Sequence, residues 1–182
     1  MKCLSFLLLL SISTFSLAGG YSRPDIDLYD PESGLYYKAV IEASGGLLAS
    51  VAGSKISNVY IFDPISNQGS PFLPQDSKRV ISVFTFETSY ENGKINFSGR
   101  GAYITKNNSN IDERELKNKI LFGTWDEKTE QTSLYTSTKT GSDIKPLATI
   151  PKGASYHIDV RNGKLRIVNQ VEDGVSVRSF EW

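Results

Sequence analysis

The feature that most constrains the fold of this chain is an alternation of apolar and polar residues with a period of two. It occurs from residue 34 onward in short stretches rich in Tyr, Phe, Ile and Val, separated by Gly, Asn, Asp and Pro. A period of two is that of a β-strand with one buried face, and short runs bounded by turn residues are typical of antiparallel sheets. The sequence therefore predicts an all-β fold.

The alternation predicts strands at 34–43, 58–63, 79–87, 94–98, 119–125, 133–137, 155–161, 164–170 and 175–182. The strand 79–87 has apolar residues on both of its faces. One face carries Val80, Phe84 and Phe86, and the other carries Ile81 and Val83. A strand of this kind is expected at the centre of the structure, because both of its faces must be buried.

Turn residues between the strands predict how the strands are joined. Asn92-Gly93 and Asn162-Gly163 each lie between two strand patterns, and both residue types tolerate the positive φ of a type I′ hairpin turn. Toward residue 182 the apolar positions change parity, which predicts a β-bulge near Arg178-Ser179. One short helix is predicted at 111–117, with an asparagine before it as its cap.

An internal repeat underlies this pattern. The segments 59–73 and 133–147 each lead from a tyrosine-containing strand through a polar glycine turn to a Pro-Leu-type strand. A further strand and an Asn-Gly-Lys turn follow each segment, and a third trace begins at Leu28. This order resembles a blade of the TolB-like β-propeller family, although the Ser-Pro-Asp-Gly run of that family is missing here. The resemblance implies propeller-like hairpins.

Chain length bears on whether such hairpins close into a propeller. At roughly 40 residues per four-stranded blade, the chain holds about four blades at most, the lower end of the range for closed propellers. We therefore predict an antiparallel meander of two β layers with propeller-like hairpins. A small closed β-propeller is the alternative.

Residues 1–18 have the pattern of a secretory signal peptide. Lys2 precedes an apolar run, and Ser16-Leu17-Ala18 places small residues at the two positions that signal peptidase recognises. The apolar run is shorter than the roughly 20 residues of a membrane-spanning helix, so cleavage after Ala18 is expected. The prediction is an exported protein, periplasmic or extracellular, with a single β-rich domain at 19–182 and no transmembrane segment in the mature chain.

Composition excludes several classes of function. Cys3 is the only cysteine and precedes the expected cleavage point, so the mature chain has no thiol for a disulfide, a thiolate metal site or a nucleophile. The 20 basic and 20 acidic side chains balance, so no net charge attracts the protein to nucleic acid. The sequence contains no phosphate-binding loop, Gly-x-Ser-x-Gly elbow or His-Glu-x-x-His motif, and no cofactor is predicted.

His157, the only histidine, shares a strand face with Asp159 and Ser155. Such a set suggests general-base or triad chemistry. Residues two apart on one strand are about 6.5 to 7 Å apart, however, which is too far for a direct hydrogen bond. A polar outer face on a half-buried strand accounts for all of these residues, so we predict that His157 is not catalytic.

Carboxylates are the remaining candidates for chemistry. Asp25, Asp27 and Asp30 are close in sequence and could contribute to a Ca²⁺ site, but no twelve-residue loop ending in Glu follows them, and no metal is predicted. Glu87, in its strand, and Asp126-Glu127 are the first positions to inspect for a glycosidase-type acid pair. Such a pair is defined by its separation in space, so sequence spacing neither establishes nor excludes it.

Aromatic residues give the one positive indication of function. The chain has 9 Tyr, 9 Phe and 2 Trp, and the neighbours Tyr36 and Tyr37 must point to opposite faces of their strand. Exposed tyrosines favour recognition of sugars or proteins, whereas buried ones fill the core. The first function predicted is an exported non-enzymatic β-module that binds a protein partner or a cell-envelope component. The alternative is a carboxylate-dependent hydrolase acting on glycans.

Overall fold

The computed structural model describes residues 23–42, 54–75, 77–100, 102–104 and 110–182. In these ranges the chain forms β-strands and no helix, which confirms the all-β prediction. The strands are β1 (Asp27–Tyr29), β2 (Tyr36–Glu42), β3 (Lys55–Asp63), β4 (Gln68–Pro71), β5 (Val80–Glu91), β6 (Lys94–Arg100), β7 (Tyr103–Ile104), β8 (Ile120–Asp126), β9 (Gln131–Ser137), β10 (Lys145–Ile150), β11 (Ser155–Asp159), β12 (Lys164–Val171) and β13 (Gly174–Glu181). The predicted signal peptide lies outside the described residues.

The strands form three sheets. The first sheet has the order β1-β2-β3-β4, the central sheet β10-β9-β8-β5-β6 and the third sheet β13-β12-β11-β7. Neighbouring strands are antiparallel, except that β7 pairs with β11 in parallel. Most connections are hairpins, as a meander requires.

Two apolar cores lie on the two faces of the central sheet. The core against the first sheet is rich in aromatic rings, and its largest members include Tyr37, Phe72, Phe84, Phe86 and Phe122. The core against the third sheet is mainly aliphatic and includes Val83, Leu121, Ile158, Leu165 and Ile167. The meander is thus three layers deep where the sequence predicted two. Neither core, among the residues described, joins the first sheet to the third, as closure into a propeller would require.

Strand β5 contributes to both cores, which confirms that it is central and buried on both sides. The predicted face of Ile81 is wrong. The register with β8 shifts between Ile81 and Val83, so Ile81 packs with Phe84 and Phe86 against the first sheet while Val83 faces the third. A bulge adds one residue to the strand and so reverses the alternation beyond it.

The two Asn-Gly turns differ. Asn92 and Gly93 have φ of 51° and 76° and form the two-residue turn between β5 and β6, as type I′ geometry requires. In the second hairpin only Gly163 has a positive φ, 59°, and its N–H donates to the carbonyl of Val160 at 3.2 Å. The type I′ prediction there is wrong, because the loop between β11 and β12 spans four residues.

Two further local predictions are wrong. The ladder between β12 and β13 has no register shift, so no bulge occurs near Arg178-Ser179. The parity changes because Val175 and Val177 point to solvent while Trp182 is buried. The segment 111–117 is irregular and not helical. Seven residues are too few for a stable helix without strong packing, and this segment instead supplies donors to a buried carboxylate in β5, described below.

The internal repeat has a counterpart in the strand registers. Tyr60 of β3 lies opposite Pro71 of β4, and Tyr135 of β9 lies opposite Pro146 of β10. The two Tyr-containing strands therefore form hairpins with the same Tyr-to-Pro pairing. This equivalence agrees with the repeat, whereas the resemblance to TolB-like blades stays a prediction.

Candidate functional site

Strand β11 places His157 opposite Arg166 of β12, and Asp159 two residues further along. The Asp159 carboxylate accepts hydrogen bonds from Arg166 Nε at 3.0 Å and from the side chain of Asn162 at 2.8 Å. Burial acts to raise the pKa of Asp159, but these bonds and the Asn162 backbone N–H outweigh it and hold the pKa below its usual value. None of these bonds involves His157, so Asp159 shapes the hairpin turn and does not orient an imidazole.

The three aspartates considered for a cation do not converge. Asp30 is fully buried and pairs with Lys139. Asp27 is exposed and pairs with Lys38, while Asp25 lines a shallow surface cavity. Within the described ranges, no group of three or more His, Cys, Asp or Glu side chains is arranged to hold a metal ion.

Glu87 is a buried carboxylate that accepts hydrogen bonds from three other residues. It is fully buried in β5 and accepts two hydrogen bonds from Arg114, at 2.6 and 2.8 Å, one from the backbone N–H of Lys117 at 3.0 Å and one from Trp182 Nε1 at 2.9 Å. Burial acts to raise the pKa of Glu87, but these donors outweigh it and lower the pKa. A general acid needs a raised pKa and access to substrate. Glu87 has neither.

The two carboxylates that follow Trp125 also bond to neighbouring groups of the fold. Asp126 accepts the backbone N–H of Lys128 at 2.8 Å, and this bond is the main cause of its lowered pKa. Glu127 is exposed and pairs with Lys55 at 2.5 Å. In the ladder of β5 with β8, Phe86 lies opposite Ile120 and Val80 opposite Trp125. Glu87 therefore lies at the other end of the ladder from Asp126 and Glu127 and forms no acid pair with them.

The outer face of the first sheet is different in kind, because it presents aromatic rings to solvent. Tyr29, Tyr36 and Phe62 lie opposite one another across β1, β2 and β3, and Tyr60 lies in the next row on the same face. We call these four residues the aromatic face. Tyr29, Tyr36 and Tyr60 are 49, 47 and 41% exposed, and the ring centroids of Tyr29 and Tyr36 are 4.6 Å apart.

Glycine at position 69 allows Tyr60 to lie flat on the sheet. A Cβ built on Gly69 would be 2.4 Å from Cε1 of Tyr60, so the ring covers the backbone of β4 at this point. The ring can take this position only because the residue beneath it has no side chain. The Tyr60 ring therefore lies against the sheet, beside the mutually tilted rings of Tyr29 and Tyr36.

Charged residues border the aromatic face. Asp27, Lys38 and Tyr60 form one row across β1, β2 and β3. Asp27 and Lys38 also line a shallow cavity of about 320 Å³, together with Arg23 and Asp25. Aromatic rings are thus surrounded on this side by charges of both signs.

Sequence reasoning found part of this site. Alternation predicted that Tyr36 and Tyr37 point to opposite faces, and they are 47 and 1% exposed. It did not find Tyr29, Tyr60 or Phe62 as neighbours of Tyr36, because their proximity depends on the strand registers. The Tyr-containing repeat was the only sequence signal that pointed to the β3–β4 hairpin.

Comparison with known proteins supplies no assignment: no family model, no curated protein and no solved structure matches this chain. None of the described residues belongs to a helix that is long and apolar enough to cross a membrane.

Proposed function

We propose that this protein is an exported, non-enzymatic β-module that binds a protein partner through the aromatic face of its first sheet. The observation that carries the proposal is the pair of exposed, adjacent rings of Tyr29 and Tyr36 beside the flat ring of Tyr60. Exposed apolar patches with a polar rim mark interaction sites on proteins.

The composition of the face favours a protein as partner. Tyrosine provides a rigid apolar surface with a polar end, and it is enriched where binding energy is concentrated in protein interfaces. The bordering charges, Asp27, Lys38 and Arg23, correspond to the polar rim of such interfaces, where charge pairs contribute to orientation and partner choice.

The state of the carboxylates supports a binding role over hydrolysis. Glu87 and Asp159 are held in bonds to arginine and asparagine side chains, and the pKa of each is lowered. These are the properties of carboxylates that stabilise a fold. The export part of the proposal depends on the pattern at 1–18.

Site-specific photocrosslinking in the native host would test the proposal. A benzophenone amino acid at position 36 is expected to form an adduct with one protein, identified by mass spectrometry. The same amino acid at position 177 serves as the control, because Val177 is 54% exposed on the third sheet, away from the aromatic face.

Affinity for the captured protein then tests the surface directly. Tyr36→Ser removes a ring, and we expect it to weaken binding by about 10-fold or more, the effect of losing an aromatic anchor. Gly69→Ala keeps every ring but displaces Tyr60, and it should also weaken binding. Val177→Ser is the matched control and should leave affinity unchanged.

Two outcomes would overturn the protein-partner proposal. One is a position-36 crosslinker that captures only glycan or lipid, which would make an envelope component the ligand. The other is a purified protein partner whose affinity is the same for wild type, Tyr36→Ser and Gly69→Ala.

A further inference from the structure

Asp30 and Lys139 form a buried pair between the first and central sheets that lacks the geometry of a stable salt bridge. Asp30 is 0% and Lys139 2% exposed, and Lys139 Nζ lies 2.8 Å from Asp30 Oδ2. Despite this distance, Nζ and Asp30 Oδ1 have no hydrogen-bond partner in the described chain. A buried ion pair offsets its loss of hydration only when hydrogen bonds satisfy its remaining lone pairs and protons.

The surroundings hold the amine and the carboxyl group in place. The hydroxyl of Tyr37 donates to the backbone carbonyl of Lys139 at 2.9 Å, and the Phe86 ring centroid lies 5.4 Å from Nζ. On the other side, the N–H and hydroxyl of Ser33 both donate to Asp30 Oδ2, at 3.2 and 2.6 Å. One carboxyl oxygen therefore has two donors, and the other has none.

We propose that Lys139 and Asp30 condense to an isopeptide bond, with Nζ bonded to Cγ and one water released. A proton passes from the ammonium to the carboxylate, which gives a neutral amine and a neutral acid. Nζ then attacks Cγ, and the Ser33 N–H and hydroxyl stabilise the negative charge on Oδ2. Of the three protons that start on Nζ, one stays on the amide nitrogen and two leave with Oδ1 as water.

Three features of the site favour this condensation. The reacting groups are fixed in contact, and well-oriented intramolecular reactions reach effective concentrations of roughly 10⁵ M or more. Both groups are removed from water, which disfavours the charged pair relative to the neutral one. Donors positioned on the oxygen that becomes negative are the usual means of stabilising a tetrahedral intermediate.

The bond would join two layers of the fold. Asp30 follows β1 of the first sheet, and Lys139 follows β9 of the central sheet. A chain with one cysteine cannot form an intrachain disulfide, so an isopeptide bond would be its covalent link between layers. The proposal is independent of the binding role of the aromatic face.

Intact mass spectrometry of the purified folded protein tests the proposal. Wild type is expected to weigh one water molecule less than its sequence, counted from its measured N-terminus. Tryptic mapping should give a branched peptide that joins Asp30 to Lys139. Lys139→Arg and Asp30→Ala should each restore the full mass.

The control is the exposed pair of Lys152 and Glu130, which are also 2.8 Å apart. Lys152→Arg should retain the mass loss of wild type. The wild-type measurement decides the question even if the Lys139 and Asp30 variants do not fold. A folded wild type of full mass, in which Lys139 reacts completely with an amine reagent after unfolding, would overturn the proposal.

Discussion

The indole N–H of Trp182 donates a hydrogen bond of 2.9 Å to Oε1 of Glu87, in the buried middle of the fold. This bond ties the residue that follows β13 to the longest strand of the central sheet. Glu87 also accepts from Arg114 and Lys117 in the connection before β8, so one carboxylate links three distant segments. The link is a polar counterpart to the apolar core between the central and third sheets.

We expect Trp182→Phe to lower the free energy of unfolding by about 1 to 3 kcal/mol, because the buried Glu87 carboxylate then has one hydrogen bond fewer. The substitution keeps an aromatic ring at the site, so the lost donor is the main change. Urea denaturation measures the effect. Trp125→Phe, at a half-buried position, is the control, and equal effects of the two substitutions would contradict the role of the indole N–H.

Arg114→Met tests the ionic part of the same centre. It leaves the Glu87 carboxylate buried without its guanidinium, and we expect the free energy of unfolding to fall by about 3 kcal/mol at neutral pH. This value is at the lower end for a broken buried ion pair, because Arg114 is partly exposed. Lys164→Met, which breaks the exposed pair with Glu181, should cost less than about 1 kcal/mol.

The stability difference between wild type and Arg114→Met should change with pH in one direction. In wild type the pKa of Glu87 is lowered, so its contribution to stability is present above the ordinary carboxyl pKa and is lost as pH falls through the folded value. Without Arg114 the main effect left on the Glu87 pKa is burial, which raises it. The stability difference between wild type and Arg114→Met should therefore narrow from pH 7 to pH 5, and a constant difference would contradict this account.

The fold class was predictable from the sequence because alternation reports burial directly. Details of strand faces were not. Ile81 packs beside Phe84 only because a bulge lies between them, and the sequence around Val83 contains no glycine or proline to announce it. Val175 and Val177 suggested a bulge that does not exist, because an exposed valine in a strand has the same sequence pattern as a buried one.

The polar centres were not predictable for a different reason. Glu87 stood out as a carboxylate in an apolar strand, but its partners, Arg114 and Trp182, come from other parts of the chain. The same holds for Asp30 and Lys139, which only the packing of the first sheet on the central sheet brings together. Local pattern identifies a buried charge. Only the tertiary fold identifies the group that neutralises it.

Gly163 and Gly99 both have a positive φ, but a side chain would clash with the backbone only at Gly99. Gly163 has a φ of 59°, and a Cβ there would meet only Lys117 Nζ at 3.9 Å. We expect Gly163→Val to cost about 2 kcal/mol through strain alone, and Gly163→Asn to cost much less, because asparagine tolerates this conformation. Thermal and urea unfolding of both variants would measure the difference, and equal costs would contradict the strain argument.

Gly99, with a φ of 84°, has the same kind of backbone strain and a steric clash in addition. A Cβ there would lie 1.9 Å from the backbone oxygen of Phe84, so Gly99→Ala must separate β6 from β5. We expect it to cost about 2 kcal/mol more than Gly163→Ala, which adds a methyl group in open space. Hydrogen exchange of the β5–β6 amides should increase in Gly99→Ala and not in Gly163→Ala. A Gly99→Ala protein as stable as wild type would contradict the close approach of the strands.

The export proposal predicts that the mature protein begins at Gly19, since Ser16-Leu17-Ala18 is a small-x-small site at the end of the apolar run. Mass spectrometry of protein recovered outside the cytoplasm measures the N-terminus directly. Recovered protein that retains Cys3 would contradict cleavage at this position.

His157 and Asp159 share a face of β11, and their roles are separable by mutation. We expect His157→Gln to change the free energy of unfolding by no more than about 0.5 kcal/mol, the usual effect of a substitution at a partly exposed position. Asp159→Ala removes the acceptor for Arg166 and Asn162, and we expect it to lower the free energy of unfolding by about 2 kcal/mol.

The effect of Asp159 should also depend on pH. Because the pKa of Asp159 is lowered in the fold, its contribution to stability is present above the ordinary carboxyl pKa and is lost as pH falls through the folded value. The difference between wild type and Asp159→Ala should therefore shrink on acidification. Urea unfolding at pH 7 and pH 3 measures both effects, and a His157→Gln variant as unstable as Asp159→Ala would show that the two residues act as one unit.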